Sequence, residues 1–192
     1  MREEVTALLE NRNELLTITY FKIQELFDKK YGENALVLME IGTFFEVYEV
    51  NNEKEKIGKA KEIAELLNIQ LTRKNKSILE NSKENPIMAG VPAISFEKHL
   101  ARIIAEQKYT IAIIRQKGTP PNVSRYLDVI VSPGTNFDFV VEQDDNFITS
   151  IVIDQIRGNY LIGYSAIDVT TAKCYYNEVF GTNEDKFFAL DE

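Results

Sequence analysis

Apolar residues recur along this chain at two spacings, and the alternation between them outlines the fold. Leu15, Leu16, Ile18, Phe21, Ile23, Leu26 and Phe27 predict an amphipathic helix over 13–31, with Gly32 at its C-cap. Strands are expected near 35–41, where Ala35 to Met39 is an unbroken apolar run, and near 43–49. Residues 51–56 read as a polar turn. Residues 58–67 read as a helix with Ile63, Leu66 and Leu67 inward. A brief strand over 69–72 then runs into the basic loop Arg73-Lys74-Asn75-Lys76, and the polar stretch 77–86 is expected to be mobile. Ser95 is placed to cap a helix over 96–107 with Leu100, Ile103 and Ile104 inward. Residues 109–116 read as a central strand. Pro120 and Pro121 exclude regular structure over 117–122, and a strand over 125–131 stops at Ser132-Pro133-Gly134. Alternating helices and strands predict an α/β domain with a mixed sheet over 13–135, preceded by a short helix or loose arm over 1–12.

The pattern changes after that point. Residues 136–146 end in Glu142-Gln143-Asp144-Asp145-Asn146 and read as a linker. Three strand-like runs follow at 147–154, 159–168 and 173–179, an antiparallel meander. Thr182 with Asp185 approximates a capping box for a further helix. Three strands and the first turns of a helix bury little surface alone, so 147–192 is expected to be the opening of a second domain in a longer protein.

Composition narrows the classes. Of 192 residues, 44% are hydrophobic, enough for a packed core. No run of about 18 apolar residues is present, so no membrane-spanning helix is expected. One Cys (Cys174) and one His (His99) leave neither an intrachain disulfide nor a structural zinc site in the sequence. A phosphate loop and a Gly-x-Ser-x-Gly elbow are both absent, and His99 reads as an ordinary helix residue. No catalytic residue, metal ligand or cofactor is therefore assigned, and the segment is expected to be a binding module. Asp154 and Asp168, each at a strand end, are the one conceivable nuclease-like acidic pair. The net charge of −8 argues against a general nucleic-acid binder, but its distribution is uneven. Residues 1–70 carry a net −5, residues 71–135 a net +5, and residues 136–192 a net −8. Arg73, Lys74, Lys76, Lys98, Arg102, Lys108, Arg115, Lys117 and Arg125 either form one phosphate-facing surface or are ordinary solvated side chains.

The most informative run is Ile41-Gly42-Thr43-Phe44-Phe45-Glu46-Val47-Tyr48. In a strand, Thr43, Phe45 and Val47 share one face and Phe44, Glu46 and Tyr48 the other. An accessible ring two residues from a carboxylate can stack on a base and hydrogen-bond its edge. From the pattern alone, a core Phe beside a solvated Glu is the commoner arrangement.

The ordered series Gly42-x-Phe44-Phe45-Glu46, Leu71-Thr72-Arg73-Lys74, Met88-Ala89-Gly90-Val91-Pro92 and Val131-Ser132-Pro133-Gly134-Thr135 resembles the N-terminal part of the MutS family of DNA mismatch-repair proteins, over roughly residues 14–170. The resemblance implies a mixed-sheet mismatch-recognition domain followed by the beginning of a ribonuclease-H-like connector domain. It implies that Phe44 enters duplex DNA from the minor groove and stacks on a mispaired or unpaired base, which Glu46 hydrogen-bonds. Near phosphates the Glu46 carboxyl is expected to favour its protonated form and to donate to a ring nitrogen. Arg73, Lys74 and Lys76 are the implied backbone contacts. Met88 either lines the groove beside Phe44 or belongs to a structural turn in which Gly90 takes an unusual backbone angle. The resemblance further implies a cytoplasmic, nucleoid-associated protein that dimerises through C-terminal domains and uses ATP and Mg²⁺ there, beyond this segment. Four positions, two of them adjacent, depart from the family pattern. Thr43 stands where an acidic residue is usual, Phe45 where Tyr is common, and Ala93-Ile94 where an aromatic-His pair often follows Gly-Val-Pro. A divergent relative acting as a protein-interaction or DNA-structure-binding module is the alternative.

Overall fold

The computed structural model describes residues 1–135, 147–169 and 171–181. The expected linker over 136–146 and the capping pair Thr182 and Asp185 lie outside the described residues. The chain divides into two compact units, Met1–Pro133 and Gly134–Glu192.

In the first unit, α1 (Arg2–Glu10) and α2 (Leu16–Tyr31) precede the hairpin β1 (Ala35–Ile41) and β2 (Phe44–Asn51). Then come β3 (Lys56–Gly58), α3 (Ala60–Leu67), β4 (Thr72–Arg73), β5 (Ile87–Pro92), α4 (Phe96–Ala105), β6 (Thr110–Lys117) and β7 (Ser124–Val131). The sheet order is β4-β5-β2-β1-β6-β7, with β3 also paired to β2. Strands β1 and β6 are parallel and the other pairs antiparallel, so the sheet is mixed. Two of its strands, β3 and β5, fall where the hydrophobic pattern predicts none. The first is three residues long. The second is an uninterrupted run without polar residues, bracketed by Pro86 and Pro92, so neither carries a readable alternation.

Between the sheet and the α1–α2 layer lie Val5, Tyr20, Phe21, Ile23 and Phe27 against Val37, Met39, Tyr48, Ala112 and Ile114, all fully buried. The N-terminal segment is thus a helix docked on the sheet, and Arg2 donates to the Leu127 and Asp128 carbonyls of β7. The opposite face carries Phe45, which stacks on Phe96 of α4 with ring centroids 3.6 Å apart and planes 15° apart. Leu15, expected inward, instead sits at the N-cap of α2 and is 60% exposed.

Three polar side chains satisfy backbone groups that the sheet and helices leave open. Strand β1 pairs with β2 only from Met39 onward. Ahead of that point Gln24 donates to the Ala35 carbonyl and accepts from the Val37 amide, and the Tyr20 hydroxyl donates to the Val37 carbonyl. Buried Glu49 accepts from the Lys61 amide in the first turn of α3. Ser95 does stand at the N-cap of α4, but its hydroxyl donates back to the Pro92 carbonyl rather than accepting from the helix. The stretch expected to be mobile is an irregular loop folded around buried Asn85, which accepts from the Asn75 amide and donates to the Ile78 and Glu80 carbonyls.

In the second unit the described residues form one antiparallel sheet of β8 (Phe147–Ile156), β9 (Asn159–Asp168) and β10 (Cys174–Gly181). Every residue of β8 is exposed. No helix among the described residues is long and apolar enough to cross a membrane.

Candidate nucleic-acid interface

The β1–β2 hairpin places the Phe44 run at one end of the sheet. Ile41 pairs with Phe44 across a two-residue turn of Gly42 and Thr43, and Gly42 has φ of +62°, a conformation that favours glycine. Two contacts hold this turn from different strands. Gln116 of β6 uses both ends of its amide, accepting from the Gly42 amide at 3.0 Å and donating to the Gly42 carbonyl at 2.7 Å. On the other side, the Ala93 amide just past β5 donates to the Thr43 carbonyl at 2.8 Å.

The period of two then separates the adjacent phenylalanines. Phe45 is 1% exposed and stacked in the core, whereas Phe44 is 44% exposed. Cross-strand register puts Pro92, Gly90 and Met88 of β5 opposite Phe44, Glu46 and Tyr48, on the same face. The α1–α2 layer buries Tyr48 on this face and stops short of Phe44.

Glu46 lies back along the sheet with its side chain 12% exposed. The buried Tyr48 hydroxyl donates to its Oε2. Lys74 lies 3.5 Å from the same oxygen and donates to the Tyr48 hydroxyl at 3.1 Å. Arg125 of β7 is near enough to act electrostatically on both Glu46 and Tyr48, and its Nε donates to the Glu40 carbonyl at 3.1 Å. Burial lowers the Arg125 pKa, against the pull of Tyr48, Glu40 and Glu46. Burial first, and then the Glu46 charge, push the Tyr48 phenol far above its ordinary range. Glu46 Oε1 makes no hydrogen bond among the described residues and is not sealed from solvent.

Gly90 has a reason to be glycine that differs from the turn that is one of the two readings of its segment. It lies mid-strand in β5 without positive φ. A Cβ there would sit 3.2 Å from the Phe45 carbonyl oxygen and 3.4 Å from Glu46 Cγ. The missing side chain makes room for Glu46 to cross its neighbour strand. Met88 packs partly buried against the core cluster, so it shares the Phe44 face as an edge of the apolar layer.

The basic residues are not equally free, because several are already held by carbonyls or carboxylates. Arg73 donates to the Ile78 and Leu79 carbonyls of its own loop, and Lys76 is exposed beside it. Arg102 donates to the Leu66 and Leu67 carbonyls at the end of α3, a cation at a helix C-terminus. Lys108 pairs with Glu62, and Arg115 pairs with Glu97 and Asp128. Lys76, Lys98 and Lys117 are exposed, with no ion-pair partner among the described residues.

The acidic pair considered for nuclease chemistry is taken apart by register. Asp168 pairs with Phe147 and Asp154 with Leu161, at opposite ends of the β8–β9 ladder. Seven residues at about 3.4 Å each separate them by more than about 20 Å. Among the described residues no group of three or more His, Cys, Asp or Glu is placed to hold a metal ion. His99 is half-buried on α4, lining the apolar layer with Phe45 and Phe96. The supporting roles of Gln116 and Tyr48 were not assigned from the sequence. Period-two alternation does put Tyr48 on the Glu46 face. Gln116 reaches a turn 74 residues away, and no local pattern carries that contact.

The family model described as MutS domain I matches residues 20–140. A mutS homolog of Acanthamoeba polyphaga mimivirus is 30% identical over 190 residues, covering 95% of this chain and 17% of the relative. A DNA mismatch repair protein MutS of Halothermothrix orenii is 28% identical over 164 residues, covering 82% of this chain and 16% of the relative. The MutS of Chlorobium phaeobacteroides is 30% identical over 156 residues, with 78% and 16% covered. The chain thus spans about a sixth of the length of the curated relatives it matches. With the family model matching well over half of its length on a mixed α/β sheet, this chain belongs to the MutS family and carries that family's N-terminal mismatch-recognition domain.

Proposed function

We propose that this domain recognises mispaired or unpaired bases in double-stranded DNA for mismatch repair, with Phe44 as the wedge and Glu46 as the hydrogen-bonding partner of the displaced base. One observation carries the reading: of two adjacent phenylalanines, Phe45 is locked in the core while Phe44 stands exposed at a hairpin tip clamped from two sides. An apolar wedge costs a few kcal/mol to unstack a base step. One base–aromatic stack returns roughly 1–3 kcal/mol. The two nearly cancel on matched DNA. At a mismatch weak pairing has already lowered the cost, so discrimination comes from deformability.

Affinity must then come from phosphate contacts. Lys76 in the loop after β4 is free to make them, with Arg73 and Lys74 beside it. Lys74 begins from its contact with Glu46 and Tyr48. We read this segment as a binding module rather than an enzyme, acting in the cytoplasm on the nucleoid. ATP, Mg²⁺ and homodimer contacts belong in this reading to C-terminal parts of a longer protein. The second unit is read as the opening of a ribonuclease-H-like connector domain.

The test compares affinities for a duplex with one unpaired thymine and its matched counterpart, by fluorescence anisotropy, on the longest native form of the protein. A preference that disappears in Phe44→Ala supports the wedge. Equal binding to both duplexes, unchanged in Phe44→Ala, refutes it and favours the protein-interaction alternative. Glu46→Gln should retain much of the preference and Glu46→Ala should lose it. Equal loss in both would refute a protonated carboxyl as donor to the base.

A further inference from the structure

We propose that the Tyr48 hydroxyl is a positioning group for the base-reading carboxyl: by donating to Glu46 Oε2 it reserves Oε1 as the oxygen that meets the base. This deepens the mismatch reading and rests on it.

A phenol has one proton and can accept as well as donate. Here the Lys74 ammonium donates to the Tyr48 oxygen at 3.1 Å, which leaves the phenol proton for Glu46. Lys74 also lies 3.5 Å from Oε2, so that oxygen faces two donors. Oε1 has none among the described residues and is not fully sealed from solvent. An ionised carboxylate therefore offers Oε1 as acceptor. A protonated one carries its proton on Oε1, since Oε2 already accepts. In either state the base meets the same atom.

The hydroxyl itself cannot wander. Tyr48 is fully buried, and its ring stands edge-on to Tyr20 with centroids 4.9 Å apart and planes at 85°. Tyr20 is tied to the Val37 carbonyl at 2.9 Å. Burial and the Glu46 charge keep the phenol protonated across the physiological range, so it remains a donor. Gly90 supplies the space in which the Glu46 chain lies back toward Tyr48. These contacts orient Glu46 before DNA arrives, which lowers the ordering cost of the hydrogen bond to the base.

Tyr48→Phe tests this by deleting one oxygen and keeping the ring. On the longest native form, the preference for the unpaired-thymine duplex over the matched duplex should fall about five- to tenfold. Matched-duplex affinity and the thermal midpoint should stay near wild type. In a Glu46→Ala background the same change should cause no further loss of preference. A purely structural role would lower both affinities together and act in both backgrounds, and that result overturns the proposal. Lys74→Met is the second variant, read only as the ratio of the two affinities so that a lost phosphate contact cancels. It should reduce the preference about two- to threefold, as a partly exposed ion pair allows, and only while Glu46 is present. Phe44→Ala separates the two levels. If it abolishes the preference while Tyr48→Phe and Lys74→Met leave it whole, the positioning role falls alone. If Phe44→Ala changes nothing, the wedge reading and the positioning role fall together.

Discussion

Truncating each of the two adjacent phenylalanines should give opposite outcomes. A phenylalanine can bury roughly 200 Å². Phe44 already leaves 44% of its surface in water, so at about 25 cal/mol per Å² its truncation removes at most about 3 kcal/mol, and less because alanine keeps part of that area. Phe45 is 1% exposed and stacked on Phe96 at 3.6 Å, with the Arg115 guanidinium 5.4 Å from its ring. Its truncation loses the whole transfer free energy and leaves a cavity between sheet and α4, about 3–5 kcal/mol. In a domain of this size each kcal/mol moves the thermal midpoint by roughly 4 °C, so the two variants separate on a melting curve. The chain has no Trp and 9 Tyr, so far-ultraviolet dichroism and tyrosine fluorescence together follow unfolding. Phe44→Ala should unfold nearer to wild type than Phe45→Ala does, and lose defect preference. Phe45→Ala should be strongly destabilised. Equal destabilisation by the two would make Phe44 a packing residue and refute the assignment of faces on which the wedge depends.

Three further outcomes follow from contacts around the tip and the helices. Gln116→Leu removes both hydrogen bonds to Gly42, and defect preference in the anisotropy assay should fall about threefold or more with little change in the urea midpoint. Gly90→Ala must push aside the Phe45 carbonyl or Glu46 Cγ, so preference should fall while matched-duplex binding holds; unchanged preference would show that Glu46 does not need this space. Glu62 is desolvated in part, but hydrogen bonds from Lys108 and Tyr109 hold its pKa below the ordinary carboxylate value. Its contribution is therefore present above the ordinary value and lost as pH falls through the lowered one; Glu62→Gln should flatten that acid limb of the stability profile, by a small amount because the contact is largely solvent-exposed.

The sequence made the helices and the buried strands legible because each carries its own period. Ile63 and Leu67 of α3, and Leu100, Ile103 and Ile104 of α4, fall inward as the helical spacing requires. The face assignment of Phe44, Glu46 and Tyr48 was likewise legible, since alternation in a strand depends on nothing distant. The strand β5 was not. Its identity comes from pairing with β2 across a loop, and Gly90 looks like a turn residue until the neighbouring Glu46 side chain is seen. The basic residues show the same limit. Composition locates positive charge in the middle third, yet Arg102 ends on helix carbonyls and Arg115 on carboxylates, because the partners lie far away in sequence. Charge counted along the chain says how many cations exist, not which are free.

The physical demand on the site is rigidity more than contact. Stacking and unstacking differ by only a few kcal/mol, so a tip that could turn aside would lose much of that margin to its own disorder. The fold answers with restraints from sequence-distant elements. Gln116 comes from β6, the Ala93 amide follows β5, Tyr48 stands on the helix-covered part of β2, and Lys74 lies in the loop after β4. None of the four needs to touch a base. The adjacent Ala93-Ile94 pair, which departs from the family pattern, keeps the backbone restraint through Ala93 while Ile94 stands 99% exposed. Side-chain divergence there leaves the clamp intact, because the clamp uses the amide that every non-proline residue provides. Base discrimination in this chain should therefore be more sensitive to Gln116 and Tyr48 than to the identity of residue 94, and substitution of Ile94 by Ser should leave defect preference largely unchanged where loss of either restraint reduces it.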